Sequence, residues 1–549
     1  MYTAVVATGD STSVCIIGSG AAGGVLAWAL ARAGVDVVVL ERGKPAKRDE
    51  TAEDELLQVI RRSHQPPVER DGTVVVEPTA RAEGEPTRVG QAYYLLGGGT
   101  ILYAAASWRL RPDDLRKRSR YGTVPGSELV DWPLTYQDLE PWYTMAEKEI
   151  GVSGKSGADP TEPPRSFDHL MAPLDEDPFS ARLAAAARKM GLRPFPIPTA
   201  ISSRNDAYLG TNQCQYCGWC SGYTCLFYAK NSVDITVIPK ALKTGRARVL
   251  TDSYATRIET DPRGRASAVI YRETATGAEK RLAVGAVCLA AGGVQSPRLL
   301  LMSASKQFPD GLANRSGLVG RYLMFHIEGR RTAVFDQAFD FVLTKKVGVH
   351  DWYFPAKTDA WINHCSIQSG SRRGPLRFAL SREGWGEDYE AALARDFPRT
   401  QQLQAMVEDL PQLANRIELD SGRKDPEGYP LPRITHRYHE MDRLALVHSQ
   451  ERMGALLQAA GGKLVDTAEA HTNITGAYTY HLMGTCRMGT DPKDSVVDRD
   501  CRFHDVPNLF VADSSFFPTS GGLNPTLTIQ ANAFRVADYI VKHRKELGG

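Results

Sequence analysis

The pattern of apolar and polar positions begins with a strand–helix–strand unit near the N-terminus. Residues 14–43 contain a short β-branched run, a glycine turn, a helix of small residues and a second apolar run. Longer amphipathic stretches predict helices between Pro133 and Gly151, near 180–191, over 441–461 and over 525–544. Strand-like runs dominate residues 325–440, which predicts an antiparallel sheet. Because there is no internal repeat or low-complexity linker, we expect interleaved domains.

The first glycine turn has the spacing of a dinucleotide-binding site. Gly18, Gly20 and Gly23 form G-x-G-x-x-G directly after the first strand and at the start of the helix. This spacing allows a tight turn, a close approach of the backbone to a pyrophosphate and close packing of helix on strand. Glu41 ends the second strand, where an acid can bind ribose hydroxyls. The pattern therefore favours dinucleotide binding over an ordinary strand-to-helix turn.

Composition excludes several classes of protein. The chain has 549 residues, and its 66 basic and 64 acidic side chains give a net charge of +2, which argues against a nucleic-acid or polyanion binder. No apolar stretch reaches the roughly 18 residues of a transmembrane helix. The first twelve residues have neither the basic nor the apolar region of a secretory signal, so we expect a cytoplasmic protein.

Four of the nine cysteines lie within twelve residues. Cys214, Cys217, Cys220 and Cys225 form C-x2-C-x2-C-x4-C, whereas the other five are scattered. Thiolates at this spacing could hold an iron–sulfur cluster, although the bacterial ferredoxin run has a shorter last gap and a proline. Free or disulfide-paired thiols and a zinc site are the alternatives, and zinc ligands usually come as two separated pairs.

Several segments resemble the glucose–methanol–choline (GMC) oxidoreductase family from residue 14 to 540. They are GGGTILYAAASWR, DWPLTYQDLEPWY, AAGGVQSPRLLLMS, GLVGRYLMFH, and the C-terminal YHLMGTCRMG and NLFVADSSFFPTSGGLNPTLTIQANAFRVADYI, in family order. The cysteine segment resembles the gluconate-dehydrogenase-type branch, whose members act mostly on sugars and sugar acids. Further relatives oxidise the 6′-hydroxyl of aminoglycoside intermediates in antibiotic biosynthesis. Phe325 departs from the family, which usually has an acid there.

The resemblance implies an α/β FAD-binding domain of the Rossmann type with an interleaved α+β substrate domain built on an antiparallel sheet. The implied FAD-binding domain comprises residues 10–50, 91–110, 226–320 and 475–545. The implied substrate domain comprises 51–90, 111–225 and 321–474, with the cysteine cluster at 214–225. FAD would be noncovalent, because the segment near 97–106 lacks the histidine that carries a covalent flavin in some members.

The resemblance also assigns residues to FAD. The expected cofactor-binding residues are Gly18, Gly20, Gly23, Glu41, Arg42, Gly98, Gly99, Thr100, Ala255, Asp513, Asn524 and Thr526.

His481 and Asn524 occupy the places of the family's catalytic pair. A neutral imidazole can accept the proton of an alcohol while Asn524 holds the oxygen, so that hydride leaves for flavin N5. The resemblance implies a sugar-like or polyol substrate, with a protein electron acceptor if the cysteines hold an iron–sulfur cluster. Without the family context, a core histidine and a turn asparagine would be the simpler interpretation, and the other histidines, including His326, receive no role. An oxygen-using oxidase and a flavin-bearing lyase are the alternatives.

Overall fold

A computed structural model describes residues 11–51, 54–57, 73–76, 86–87, 93–339, 345–370, 374–466 and 481–547. Its strands are β1 (Ser11–Ile17), β2 (Val37–Leu40), β3 (Thr73–Val76), β4 (Pro86–Thr87), β5 (Phe195–Pro196), β6 (Ala247–Leu250), β7 (Ser253–Thr260), β8 (Ala266–Glu273), β9 (Glu279–Leu289), β10 (Ile327–Val334), β11 (Val347–Val349), β12 (Cys365–Ser369), β13 (Thr400–Val407), β14 (Arg416–Lys424), β15 (Pro430–Thr435), β16 (Lys463–Leu464) and β17 (Leu509–Val511).

The α-helices are α1 (Ala21–Arg32), α2 (Arg48–Thr51), α3 (Lys117–Tyr121), α4 (Tyr136–Ile150), α5 (Pro178–Lys189), α6 (Val237–Lys243), α7 (Gly292–Met302), α8 (Pro375–Leu380), α9 (Glu387–Asp396), α10 (Glu440–Ala459) and α11 (Thr526–Lys542). None of these helices combines the length and hydrophobicity needed to cross a bilayer.

The N-terminal strands form the centre of a seven-stranded sheet. Its order is β6-β2-β1-β9-β8-β7, and β17 also pairs with β9. The strands β6, β2, β1, β9 and β17 are parallel, whereas β7 and β8 form an antiparallel extension. All four residues of β2 are buried, as expected for a parallel strand covered on both faces. The largest apolar core lies between this sheet and helices such as α1 and α11.

A second sheet is antiparallel throughout and has six strands in the order β16-β10-β13-β12-β11-β5. Its apolar face packs against α10, where Leu403 and Ala405 of β13 join Leu446 and Met453 in a second core. The opposite face carries mostly polar side chains, because successive residues of a strand point to opposite sides. The antiparallel sheet predicted for residues 325–440 therefore includes β10 to β13.

The predicted helices all form, with ends set by local chemistry. Helix α4 begins after Thr135, which exchanges capping hydrogen bonds with Asp138. It stops at Gly151, whose φ of +85° is the left-handed conformation that glycine tolerates best. The strands of both sheets come from widely separated segments of the chain. The domain limits drawn from the sequence stay a prediction.

Phe325 has a structural explanation. Its ring is fully buried and packs edge-on against His436, with ring centroids 4.8 Å apart. Its backbone N–H donates to Asp409 over 2.7 Å, and the same carboxylate oxygen is 2.7 Å from His436 Nε2. Asp409, which follows β13, therefore joins the backbone of residue 325 to His436, and the side chain of residue 325 itself is apolar.

Candidate active site

A cavity of about 330 Å³ opens at the carboxyl ends of β1, β2 and β9. This edge of a parallel sheet, beside the start of α1, is where open α/β folds bind nucleotides. The predicted cofactor residues that line it are Gly18, Gly20, Glu41, Arg42, Gly98, Gly99, Ala255, Asp513 and Thr526, and the predicted base His481 lines it too. The structure thus brings ten sequence-predicted residues to one cavity.

The glycines of the first turn have different physical roles. Gly18 has a φ of +99°, and a Cβ there would lie 2.5 Å from the carbonyl oxygen of Ala290. A Cβ on Gly23 would lie 1.9 Å from the carbonyl oxygen of Gly18, so Gly23 allows the helix to pack on the turn and does not reach the cavity. A Cβ on Gly20 would meet only Gly98 Cα, at 3.9 Å. Gly20 and Gly98 therefore form a wall of bare backbone.

Glu41 is buried at the end of β2 with both carboxylate oxygens engaged. One oxygen accepts the N–H and the hydroxyl of Ser19, at 3.0 and 2.6 Å, and the other accepts the N–H of Gly43 at 2.8 Å. Burial raises the pKa of Glu41, and these hydrogen bonds partly offset the rise. Ser19 also accepts the N–H of Gly97, so one serine joins the acid to both glycine loops.

The side chains of two predicted cofactor residues are engaged by neighbouring backbone groups. Thr100 uses its hydroxyl to donate to the carbonyl of Gly97 and to accept from the N–H of Val233, so its side chain stabilises the turn. Asp513 lines the cavity, but its carboxylate accepts the N–H of Gly292 and the N–H of Ser515, both at 2.9 Å. Its observed contacts therefore fix the turn before α7.

His481 and Asn524 lie together, with His481 Nε2 3.5 Å from Asn524 Nδ2. A third residue, His326, determines which ring nitrogen of His481 carries the hydrogen. His326 Nε2 is 2.6 Å from the carbonyl oxygen of Gly521, which can only accept, so that nitrogen carries a hydrogen. In neutral His326 the Nδ1 must then accept, and it lies 2.8 Å from His481 Nδ1. His481 therefore donates through Nδ1, and its lone pair is at Nε2, facing Asn524.

The side chain of Asn524 is oriented by two donors. Trp108 Nε1 lies 3.0 Å and Gln368 Nε2 3.1 Å from its Oδ1. Because an indole nitrogen only donates, Oδ1 is the oxygen and Nδ2 is the donor that faces His481. Trp108 and Gln368 lie 416 and 156 positions from Asn524 in the chain.

The surroundings keep the imidazole neutral. Burial lowers the pKa of His481 well below its usual value, and the nearby His326 and Lys345 lower it further. Burial likewise lowers the pKa of His326 to about 4. A neutral His481 with its lone pair at Nε2 can accept a proton at neutral pH.

Comparison with known proteins identifies the family. A model described as "GMC oxidoreductase" matches residues 16–328, and a second with the same description matches residues 411–533. These matches cover most of the chain. The chain is a GMC oxidoreductase.

Curated relatives match this GMC oxidoreductase over nearly its whole length. It is 31% identical to 2-methyl-1,2-propanediol dehydrogenase of Mycolicibacterium austroafricanum over 98% of this chain and 96% of that protein. It is 33% identical to 6‴-hydroxyparomomycin C oxidase of Streptomyces lividus, over 96% and 91%. It is 28% identical to the fructose dehydrogenase large subunit of Gluconobacter japonicus, over 98% and 99%.

The fold is that of a solved structure, pyridoxine 4-oxidase from Mesorbium loti. The TM-score is 0.65 at 17% identity, covering 97% of this GMC oxidoreductase and 100% of that chain. The predicted family and fold class are confirmed, and the chain is an FAD-dependent oxidoreductase acting on CH–OH donors. The cavity fits FAD, because it combines a backbone wall, the uncapped N-terminus of α1 and an acid at the end of β2.

The cysteine cluster of this GMC oxidoreductase gives the iron–sulfur prediction no support. Across the described parts of the chain, no group of three or more histidine, cysteine or acidic side chains is placed to hold a metal ion. Cys217 is exposed while Cys214 and Cys220 are buried, and burial raises the pKa of Cys220 to about 12, which favours its neutral thiol. The buried Lys230 holds this loop by donating to the carbonyls of Cys220, Tyr223 and Tyr103.

From the sequence alone, His326 receives no role. The contact of His326 with His481 leads to a testable prediction. We expect His326→Phe to lower kcat/KM by roughly tenfold to a hundredfold, the range found when a hydrogen-bond partner that orients a metal-ligating histidine is removed. Because His326 helps to lower the pKa of His481, its loss should also move the acid limb of the pH profile to higher pH. Steady-state rates measured across pH test both effects.

The half-buried His504 provides a control, since its described side-chain contact is with Ser495. His504→Phe should leave the acid limb in place. An unchanged acid limb in the His326 variant would show that His326 has only a structural role.

Proposed function

We propose that this GMC oxidoreductase oxidises a CH–OH group of a sugar-like or polyol substrate, with His481 as general base. The observation that carries the proposal is the hydrogen-bond chain from Gly521 through His326 to His481, which leaves the lone pair at His481 Nε2. Asn524 Nδ2 lies 3.5 Å away and is a donor. An alcohol oxygen beside both atoms would donate its proton to His481 and accept a hydrogen bond from Asn524.

We assign the cavity to noncovalent FAD. Bound FAD supplies the hydride acceptor for the reaction. Gly20 and Gly98 present backbone to the pyrophosphate, while Glu41 is placed for the ribose hydroxyls. The side chains of the protein orient the alcohol and accept its proton.

The substrate class is proposed from the relatives. The names of three relatives specify a propanediol, a sugar and an aminoglycoside as substrates. Each of these compounds carries at least two hydroxyl groups. A sugar or polyol is therefore the substrate class we propose, and the cytoplasmic location stays a prediction.

The decisive test is the visible spectrum of the anaerobic protein before and after addition of sugars, polyols and aminoglycoside precursors. We expect at least one compound to bleach the flavin bands. If no CH–OH compound in this panel reduces the flavin, the proposed function is wrong. A substrate that is consumed while the flavin stays oxidised would indicate a lyase.

We propose that the electrons pass to a protein or a small diffusible acceptor and not to oxygen. Relatives named as oxidases make oxygen the second candidate. Hydrogen peroxide formed per turnover in air separates the two. One peroxide for each alcohol oxidised would establish an oxidase, and a trace would support a dehydrogenase that uses a protein or a small diffusible acceptor.

A further inference from the structure

Two glutamines of the six-stranded sheet lie directly opposite one another. Gln368 of β12 pairs with Gln404 of β13 in the antiparallel register, which places their Cβ atoms about 5 Å apart on one face. This face is opposite α10, because Leu403 and Ala405 of β13 pack on that helix. It is directed at the catalytic pair, since Gln368 Nε2 donates to Asn524 Oδ1.

The orientation of both amides is fixed by their partners. Asn524 Oδ1 already accepts from Trp108, so the atom of Gln368 that meets it must be the NH2 group. Gln404 likewise directs its NH2 group at the carboxylate of Glu328, which can only accept. In both residues the carbonyl oxygen is therefore the atom that points away from the known partner.

Both carbonyl oxygens are buried and lack a hydrogen-bond partner within the described residues. A buried acceptor without a donor is unfavourable, and native proteins rarely keep one except where a ligand or water supplies the donor. We propose that the Oε1 atoms of Gln368 and Gln404 bind a second hydroxyl of the substrate, on a carbon adjacent to the one that is oxidised. This inference rests on the proposed function and narrows its substrate to a vicinal diol.

The surrounding charges select a neutral hydroxyl over an ammonium group. Glu328 is paired with Arg330 through three hydrogen bonds of 3.1, 3.0 and 2.9 Å, so the charge of Glu328 is already compensated. Lys345 is buried, and it lies close enough to His481 to lower the pKa of that imidazole. A substrate ammonium would meet only neutral amide oxygens beside the cationic Lys345, whereas a hydroxyl would only need to donate its hydrogen.

A matched series of alcohols tests the inference on the wild-type holoenzyme. The series is 1,2-propanediol, 2-methoxy-1-propanol, 1-propanol and 2-amino-1-propanol, which differ only at the carbon next to the reacting one. We expect kcat/KM for the diol to exceed that for 1-propanol by about tenfold to a hundredfold. The methyl ether cannot donate a hydrogen bond and should react no better than 1-propanol, and the amino alcohol should react no better than the diol.

Gln404→Met tests the contribution of the glutamine whose described contact is with Glu328 and not with the catalytic pair. We expect the ratio of kcat/KM for the diol to kcat/KM for 1-propanol to fall about tenfold. Gln401→Met is the control, because Gln401 lies on the same strand with its side chain on the opposite face. It should leave the ratio unchanged.

The outcomes separate this inference from the proposed function. An ether or an amino alcohol that reacts better than the diol would overturn the inference, as would an unchanged ratio in Gln404→Met. If none of the four alcohols reduces the flavin, the vicinal-diol assignment is wrong. The proposed function fails only if the wider panel of sugars and polyols also leaves the flavin oxidised. Should Gln404→Met lose FAD or fail to fold, the wild-type series alone decides.

Discussion

Replacing His481 by alanine should lower the rate of flavin reduction by roughly 10²–10⁴-fold, the usual contribution of a general base. The variant loses the Nε2 lone pair that faces Asn524, so the alcohol must lose its proton to water or retain it. Anaerobic single-turnover absorbance measures the step directly, because it excludes the later reaction with an acceptor. The visible spectrum of the same sample shows whether FAD is retained.

His504→Ala serves as the matched control for this experiment. Like His481 it is in the C-terminal segment, but its described side-chain contact is with Ser495, outside the cavity. Its rate of flavin reduction should equal that of the wild type. Near-normal reduction in the His481 variant would show that another group or water takes the proton, and the assignment of the base would then be wrong.

Gly23→Ala and Gly20→Ala should separate folding from cofactor binding. In Gly23→Ala the new Cβ would lie 1.9 Å from a backbone oxygen, which forces the turn to move. We expect a loss of about 3 kcal/mol in the free energy of unfolding, the upper end of the usual cost of overpacking. In Gly20→Ala the nearest atom is 3.9 Å away, so the apoprotein should lose less than about 1 kcal/mol.

Cofactor affinity distinguishes the two variants. If the pyrophosphate lies against Gly20, the added methyl group fills that space, and we expect FAD to bind at least tenfold more weakly to Gly20→Ala. Chemical denaturation of the apoprotein and fluorescence titration with FAD measure the two quantities. Unchanged FAD affinity in Gly20→Ala would place the cofactor elsewhere, and unchanged stability in Gly23→Ala would contradict the packing role.

The cysteine segment shows the limit of reading chemistry from spacing. The spacing of four cysteines left iron–sulfur, zinc and thiols open. In the structure, Cys214 and Cys220 are buried whereas Cys217 is exposed. Lys230 donates hydrogen bonds to two backbone carbonyls of the loop. Spacing specifies which sulfurs can meet, whereas exposure and neighbouring donors decide whether they form a set of ligands.

The sequence alone determined the family, the nucleotide-binding turn and the position of His481 beside Asn524 in one site. These features depend on short segments, in which a glycine, an acid or a histidine is required at a fixed place in a turn or at a strand end. The role of Thr100 was not visible in this way, because its hydroxyl stays within the turn.

Only the tertiary structure decided how the catalytic pair is oriented and what lies beside it. The hydrogen bond between His326 and His481 spans 155 positions, and that between Trp108 and Asn524 spans 416. The pairing of Gln368 with Gln404 depends on the register of two strands. Contacts of this kind arise when distant segments pack together, and no local pattern of hydrophobic and polar residues records which donor will meet which acceptor.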